Sequence, residues 1–336
     1  MKVLVTGGAG FLGSRIVQRL LQQGAQVTVF SRAPGAPAGA AVNAGDLRDP
    51  AAIAAAIQGH EVVFHVAAKA GVWGRRDEYF DINLQGTRNV LLACQQHRVR
   101  ALIHTSTPSV VFARGGIEGG DESLPYPARF LTHYAHSKAL AEQEVLAANG
   151  IAGVRTVALR PHLIWGHGDP HLLPRVLARA RAGKLKQVGD GSNRVDITHV
   201  RDAAQAHLDA LDAIEQAAGR AFFIASETVA LWPWINTVLH RAVVAPVTGR
   251  VSSRAAYAAG AVLETVWRLF GLSGEPPMTR FVAENLAASH WFRHEAARQA
   301  LGFQPQWTGE KALDEFFGKQ ANPAEPVLAG QGASHG

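Results

Sequence analysis

Tyr134 and Lys138 open a strong helical pattern over residues 134–148. In a helix their i, i+4 spacing puts a phenol and an ammonium on one face, within reach of the same site. A free phenol titrates at about 10 and is a sluggish acid–base group at neutral pH. A neighbouring cation favours the phenolate and moves that value toward the working range. Earlier in the chain, Thr105-Ser106-Thr107 ends an apolar strand. Open α/β sheets bind ligands at such carboxyl edges, and a hydroxyl there can hydrogen-bond a substrate carbonyl. Phenol, ammonium and hydroxyl together are equipment for moving a proton at a carbonyl or alcohol oxygen. Tyr and Lys one turn apart are common by chance, so the elements around them decide whether the chemistry is meant.

The first of those elements is the amino-terminal stretch. Val3-Leu4-Val5 is a buried-strand run that enters Thr6-Gly7-Gly8-Ala9-Gly10-Phe11-Leu12-Gly13. Residues 14–23 place Ile16, Val17, Leu20 and Leu21 on one helical face, and residues 26–30 read as a second strand. In this strand–turn–helix–strand context each glycine has a physical task. Gly7 makes the tight turn, Gly10 lets backbone approach a pyrophosphate, and Gly13 lets helix pack closely on sheet. Backbone N–H groups around Phe11 and Leu12, with the helix dipole, would hold the phosphates.

The end of the second strand selects the dinucleotide. A carboxylate there holds the ribose 2′-hydroxyl of NAD, whereas an Arg accommodates a 2′-phosphate. This chain has Ser31 followed by Arg32. The reading is NADP(H).

Composition narrows the class. The 336 residues are 47% hydrophobic and 18% charged, as an ordinary α/β protein with a sizeable core would be. The net charge of +6 comes from scattered Arg and Lys, with no basic run interleaved with aromatics. Nucleic acid is therefore not an expected partner, and a basic rim for an anionic cofactor fits better. Cys94 is the lone cysteine, so no intrachain disulfide can form. It falls in an apolar helical pattern as a small core residue, and a reducing, cytoplasmic setting is expected. A strand starting at Lys2 leaves no room for a signal peptide. Residues 255–270 are apolar but interrupted by Glu264 and Arg268, and fall short of the ~20 residues that span a bilayer. They read as an amphipathic helix near an apolar pocket, with no transmembrane segment and with attachment to a membrane surface as the minority alternative.

Strands over 61–65, 101–105 and 154–159 alternate with helices over 51–58, 84–97 and 134–148. That alternation predicts an α/β fold with a doubly wound parallel sheet. Residues 1–161 form the dinucleotide-binding domain, with 195–226 returning to it. Residues 162–194 and 227–320 form a smaller substrate-binding region, residues 115–127 are a loop, and 321–336 are a disordered tail. Most of the tryptophans, Trp165 to Trp307, lie in the second half, as core packing or as pocket lining. His162, His167 and His171 match no helical metal pair, so no metal is expected and a loop or rim role is assigned. His136 reads as solvated. Asn83 suits either a proton relay or a tie between strand backbones.

These motifs, in order, resemble the extended short-chain dehydrogenases/reductases over about residues 1–317. They are TGGAGFLG, Gly45-Asp46-Leu47, His65-Val66-Ala67-Ala68, Asn83 to Thr87, Tyr134 to Lys138 and Leu159-Arg160-Pro161. The resemblance implies a Rossmann fold, Tyr134 as proton donor or acceptor, and Lys138 as its helper, also bonded to the nicotinamide ribose. It puts Thr107 on the family's Ser/Thr site, with Ser106 the fallback if the register slips by one. Asp46 and Leu47 would lie beside the adenine and Ala67 and Ala68 near the pyrophosphate and ribose. Pro161 would also touch the cofactor.

Departures narrow the branch. The dehydratases carry an acidic pair where Pro108 and Ser109 follow Thr107. Nucleotide-sugar epimerases carry a diphosphate-binding Arg where this chain has Val195, and Arg194 would point elsewhere on an extended segment. An apolar residue there argues for an apolar substrate. The 3β-hydroxysteroid dehydrogenase-like branch remains. Within it, residues 67–74, 105–110 and 159–166 look most like bacterial reductases of 2-alkyl-3-oxoalkanoates in long-chain olefin biosynthesis. That resemblance implies NADPH-dependent reduction of a β-keto group in a long-chain apolar keto acid. The alternatives are a 3β-hydroxysteroid or sterol dehydrogenase and a non-catalytic NADP(H)-sensing protein. Homo-oligomerisation or assembly with pathway enzymes is compatible with either.

Overall fold

The computed structural model describes residues 1–32 and 35–318, so the tail expected over 321–336 lies outside the described residues. Seven parallel strands form the main sheet: Lys2–Thr6 (β1), Gln26–Ser31 (β2), Ala41–Ala44 (β3), Val62–His65 (β4), Ala101–Thr105 (β5), Arg155–Pro161 (β6) and Arg220–Ile224 (β7). Their spatial order is β7-β6-β5-β4-β1-β2-β3. The order reverses between β1 and β4, which opens a crevice at their carboxyl ends.

Period-two alternation distributes each strand between two cores. Val3 and Val5 join one apolar cluster with Ile16, Val17 and Leu20 of the first helix, Phe11–Gln22. Leu4 faces the other cluster, with Ile53, Ile57, Val90 and Val145. Val62 and Phe64 divide from Val63 in the same way. Burial on both faces is why these strands read as continuous apolar runs. Helices on both faces make the fold the doubly wound sheet that alternation implied.

The second half builds a smaller five-stranded sheet around Arg194–His199. Glu227–Ala230 pairs with that strand antiparallel, while His290–Phe292 and Ile164–Trp165 pair parallel. Ile117–Gly120, inside the segment read as a loop, adds to His290–Phe292. Its residues IEGG carry no strand signal, and the partner that makes it a strand lies far along the chain. The segment 195–226 divides: its first strand joins the small sheet, its helix Val200–Asp212 packs against the main core, and β7 becomes the main sheet's edge. Val195 is buried while Arg194 is exposed over the Trp291 ring, as alternation requires. Trp165 and Trp232 are buried in this half's own core.

Two helices differ from the sequence reading. The first begins at Phe11 rather than Ser14, because Gly10 is extended and acts as its N-cap. The expected 84–97 helix is Gly86–Gln96, preceded by a π-helical turn over Phe80–Gln85. That wider turn carries Asn83, consistent with π-turns clustering at functional sites.

Candidate active site

Gly7, at φ +69°, turns the chain off β1. A Cβ there would lie 2.8 Å from the Ala67 Cα, and one on Gly13 would lie 2.2 Å from the Gly7 carbonyl oxygen. Only hydrogen fits at either place. The Gly10 N-cap offers no side chain to the helix start, so the N–H groups at Phe11, Leu12 and Gly13 open toward a ligand. His65 joins Thr6 (2.8 Å) to Thr87 (2.9 Å), tying the ends of β1 and β4 under this turn.

Beyond β2, Ser31 and Arg32 face the turn Gly45-Asp46-Leu47-Arg48. Arg48 grips Asp46 through two guanidinium contacts at 3.0 and 2.7 Å and holds its carboxyl below the ordinary range. Arg48 escaped the sequence reading. Its only signal is its place beside Asp46, on the side from which Arg32 acts.

The helix His133–Ala147 is capped by the Thr132 hydroxyl, which accepts from the Ala135 N–H at 3.1 Å. It brings Tyr134 to the cleft and Lys138 beneath it. Lys138 is 2% exposed; its ammonium donates to the Thr105 carbonyl at 2.7 Å and to His104 Nε2 at 3.0 Å. Burial lowers its pKa from 10.5 to about 7, opposed by Glu142 one turn on. His104, buried between Lys138 and the His65 ring, was not singled out in sequence.

Burial raises the phenol's pKa at Tyr134 and outweighs the opposing influence of the Thr107 hydroxyl. The expectation that Lys138 would draw it down does not hold in this state. The ammonium spends two of its donors on β5, and desolvation dominates the phenol. Thr107 is extended and its hydroxyl accepts from the Ser109 N–H at 3.2 Å. Ser106 is 4% exposed, and its hydroxyl has no partner among the described residues.

One cleft of ≈ 950 Å³ joins these parts. Gly7, Gly10, Phe11, Leu12 and Gly13 line one end, with Ser31, Arg32, Asp46 and Leu47 beyond. Thr107, Tyr134 and Lys138 line it together with Ala67, Ala68 and Pro161. Every residue that the sequence reading assigned to catalysis or to the cofactor thus lines one cleft. A dinucleotide fits it on two counts: the side-chain-free cradle and the uncapped helix start.

The histidines resolve differently from their reading. His162 is not on a rim; it is 8% exposed and bonds His290 at 2.6 Å. His171 lines the cleft. His136 is not simply solvated, since it stacks on Phe130 at 4.8 Å with Phe80 at its edge. Among the described residues no group of three or more His, Cys, Asp or Glu could hold a metal ion. Asn83 bonds both the N–H (2.7 Å) and carbonyl (3.0 Å) of Lys69, and donates to Ser137 at 3.0 Å. Cys94 is fully buried, and burial pushes its thiol up.

Comparison with known proteins bears on this arrangement. The sequence profile of the 3-beta hydroxysteroid dehydrogenase/isomerase family matches residues 4–243. A 2-alkyl-3-oxoalkanoate reductase of Shewanella oneidensis is 48% identical over 89% of this chain and 81% of its own. One of Stenotrophomonas maltophilia is 46% identical over 93% and 97%. A 3 beta-hydroxysteroid dehydrogenase/Delta 5→4-isomerase of Mycobacterium tuberculosis is 35% identical over 94% and 89%. Among solved structures, MoeE5 in complex with UDP-glucose and NAD superposes with a TM-score of 0.76 at 25% identity, covering 97% of this chain and all (100%) of that one.

Proposed function

Because the chain belongs to the 3-beta hydroxysteroid dehydrogenase/isomerase family and is an oxidoreductase of the short-chain dehydrogenase/reductase kind, we propose that it reduces the β-keto group of long-chain 2-alkyl-3-oxoalkanoates with NADPH, giving the 3-hydroxy acid. The observation that carries this reading is that Thr107, Tyr134 and buried Lys138 line one cleft together with the glycine cradle. The names of the two reductases at 48% and 46% identity support the substrate class.

When bound, the dinucleotide supplies a hydride to the carbonyl carbon. Thr107 and Tyr134 hold the carbonyl oxygen with their hydroxyls, and Tyr134 gives that oxygen its proton. A phenol whose pKa is raised by burial stays protonated at neutral pH, which suits donation. Lys138, charged, lowers the cost of the phenolate left behind.

This assignment sets a pH dependence. Lys138 loses its charge as pH rises through about 7. Reductive kcat/KM is expected to be level below that pH and to decline above it. A profile flat to pH 9 would exclude Lys138 as the titrating helper. The same depressed pKa acts on stability. Between pH 7 and 10.5 the unfolded chain holds the extra proton, so this group's destabilising contribution is full below 7 and fades as pH approaches 10.5.

Arg32 and Arg48 flank Asp46 where a 2′-phosphate would lie, which supports NADPH over NADH. A charge-assisted hydrogen bond is worth about 1.5–3 kcal/mol. Arg32→Ala is therefore expected to raise KM for NADPH roughly tenfold to a hundredfold and leave KM for NADH nearly unchanged. Equal losses with both coenzymes would place Arg32 away from the phosphate.

The reading as a whole is tested with a panel of 2-alkyl-3-oxoalkanoates and 3-ketosteroids, followed by NADPH and NADH absorbance. Turnover of the keto acids with NADPH is expected. Faster turnover of steroids would favour the dehydrogenase reading, to which the Mycobacterium tuberculosis relative points. Coenzyme binding with no turnover on any ketone would favour a sensing role.

A further inference from the structure

The helix Ser253–Phe270 turns Ala256, Gly260 and Glu264 inward. A Cβ on Gly260 would lie 2.6 Å from the Arg280 backbone nitrogen, and Glu264 holds the Arg280 guanidinium at 2.8 Å. The outward face is apolar. Val262 is 62% exposed, Leu269 76%, Phe270 73%, and Leu272 in the following turn 44%. Four of the nine exposed large hydrophobics among the described residues thus crowd onto eleven consecutive positions. A single exposed Leu means little, but such clustering marks an interaction surface.

The charge on this face has one sign. Its exposed ionisable residues are Arg254 and Arg268, neither in an ion pair with a described residue, and the helix's one acid is the inward Glu264. Arg268 lies over the Trp73 ring at 5.7 Å. Glu275, in the turn that follows, is already paired with Arg175 at 2.8 Å.

We propose that this face docks the protein on an anionic lipid surface, lying in the interface rather than crossing it. Apolar side chains flanked by arginines are what the headgroup boundary accepts. A second copy of the same patch would instead bring like charges together. No helix among the described residues is long and apolar enough to cross a membrane.

The test is flotation of the full chain with vesicles of phosphatidylcholine, alone or with about a quarter phosphatidylglycerol, without coenzyme or substrate. The outcome is thereby independent of the proposed reaction. Flotation with the anionic vesicles is expected to exceed that with neutral ones by roughly tenfold and to weaken with salt. The double variant Leu269→Asp/Phe270→Asp should lose roughly tenfold or more, and Val262→Asp and Arg254→Gln part of that, at unchanged thermal melting. If the double variant melts early, Val262→Asp and Arg254→Gln carry the comparison. Absence of flotation, or flotation indifferent to these changes, overturns the proposal. So does light scattering that shows a dimer dissolved by Val262→Asp, which would make a second copy the occupant.

Discussion

Tyr134→Phe is expected to lower kcat/KM for ketone reduction by roughly 10²–10⁴-fold while NADPH binding, followed by fluorescence titration, stays within about twofold of the parent. The change removes one oxygen from a side chain that lines the cleft alongside Thr107. It leaves the ring, the Thr132 cap and the Lys138 contacts with β5 in place. Only the proton donor is lost, and no neighbour stands in for it: Tyr79, with its ring centre 6.5 Å away, donates its hydroxyl to the Trp73 carbonyl at 2.8 Å. Burial also pushes Tyr79 up to about 12. Near-normal NADPH oxidation by the variant would remove Tyr134 from the mechanism. Loss of coenzyme binding in parallel would mean that the phenol serves the cleft's shape rather than its chemistry.

Glu142→Ala is expected to be the most destabilising single change near the site, by about 3–5 kcal/mol. For a chain of this size that means a fall in Tm of about 4–7 °C. Glu142 is fully buried on the helix that carries Tyr134 and Lys138, and it receives Arg160 of β6 at 2.6 and 3.0 Å. The Tyr126 hydroxyl donates to the same carboxylate at 2.7 Å. Removing the carboxylate strands a guanidinium that is 3% exposed beside the rings of Phe223 and Tyr126. The pair pins the active-site helix to the strand that ends in Pro161, so the loss reaches the cleft as well. The double variant Glu142→Leu/Arg160→Met removes both charges and should recover much of the stability. If it melts as low as the single variant, shape rather than the unpaired charge controls the clamp.

Much of this architecture is legible along the chain because its causes are local. Alternation of Val3, Leu4 and Val5 between two faces needs only the strand period. Gly7 takes the positive φ that the turn needs, and a Cβ on Gly13 would strike the Gly7 carbonyl six residues back. Tyr134, Lys138 and Thr107 were readable because a helical turn and a strand end fix where such side chains point. The Ile117–Gly120 strand was not readable, since its partner His290–Phe292 lies far away in sequence and its own residues favour a turn. Arg48 and the Arg160–Glu142 clamp were equally hidden, because charged residues carry no periodic signal until a partner arrives.

Residue order alone determined the doubly wound sheet, the glycine turn at its switch point and the phenol–ammonium–hydroxyl set, all consequences of short-range sterics and period. Only the tertiary structure decided how those groups titrate and what surrounds them. Burial raises Tyr134, brings Lys138 down to about 7 and seats it on His104 and the Thr105 carbonyl. Desolvation is a property of the packed whole, summed over atoms from distant segments, and a linear chain does not contain it until it folds.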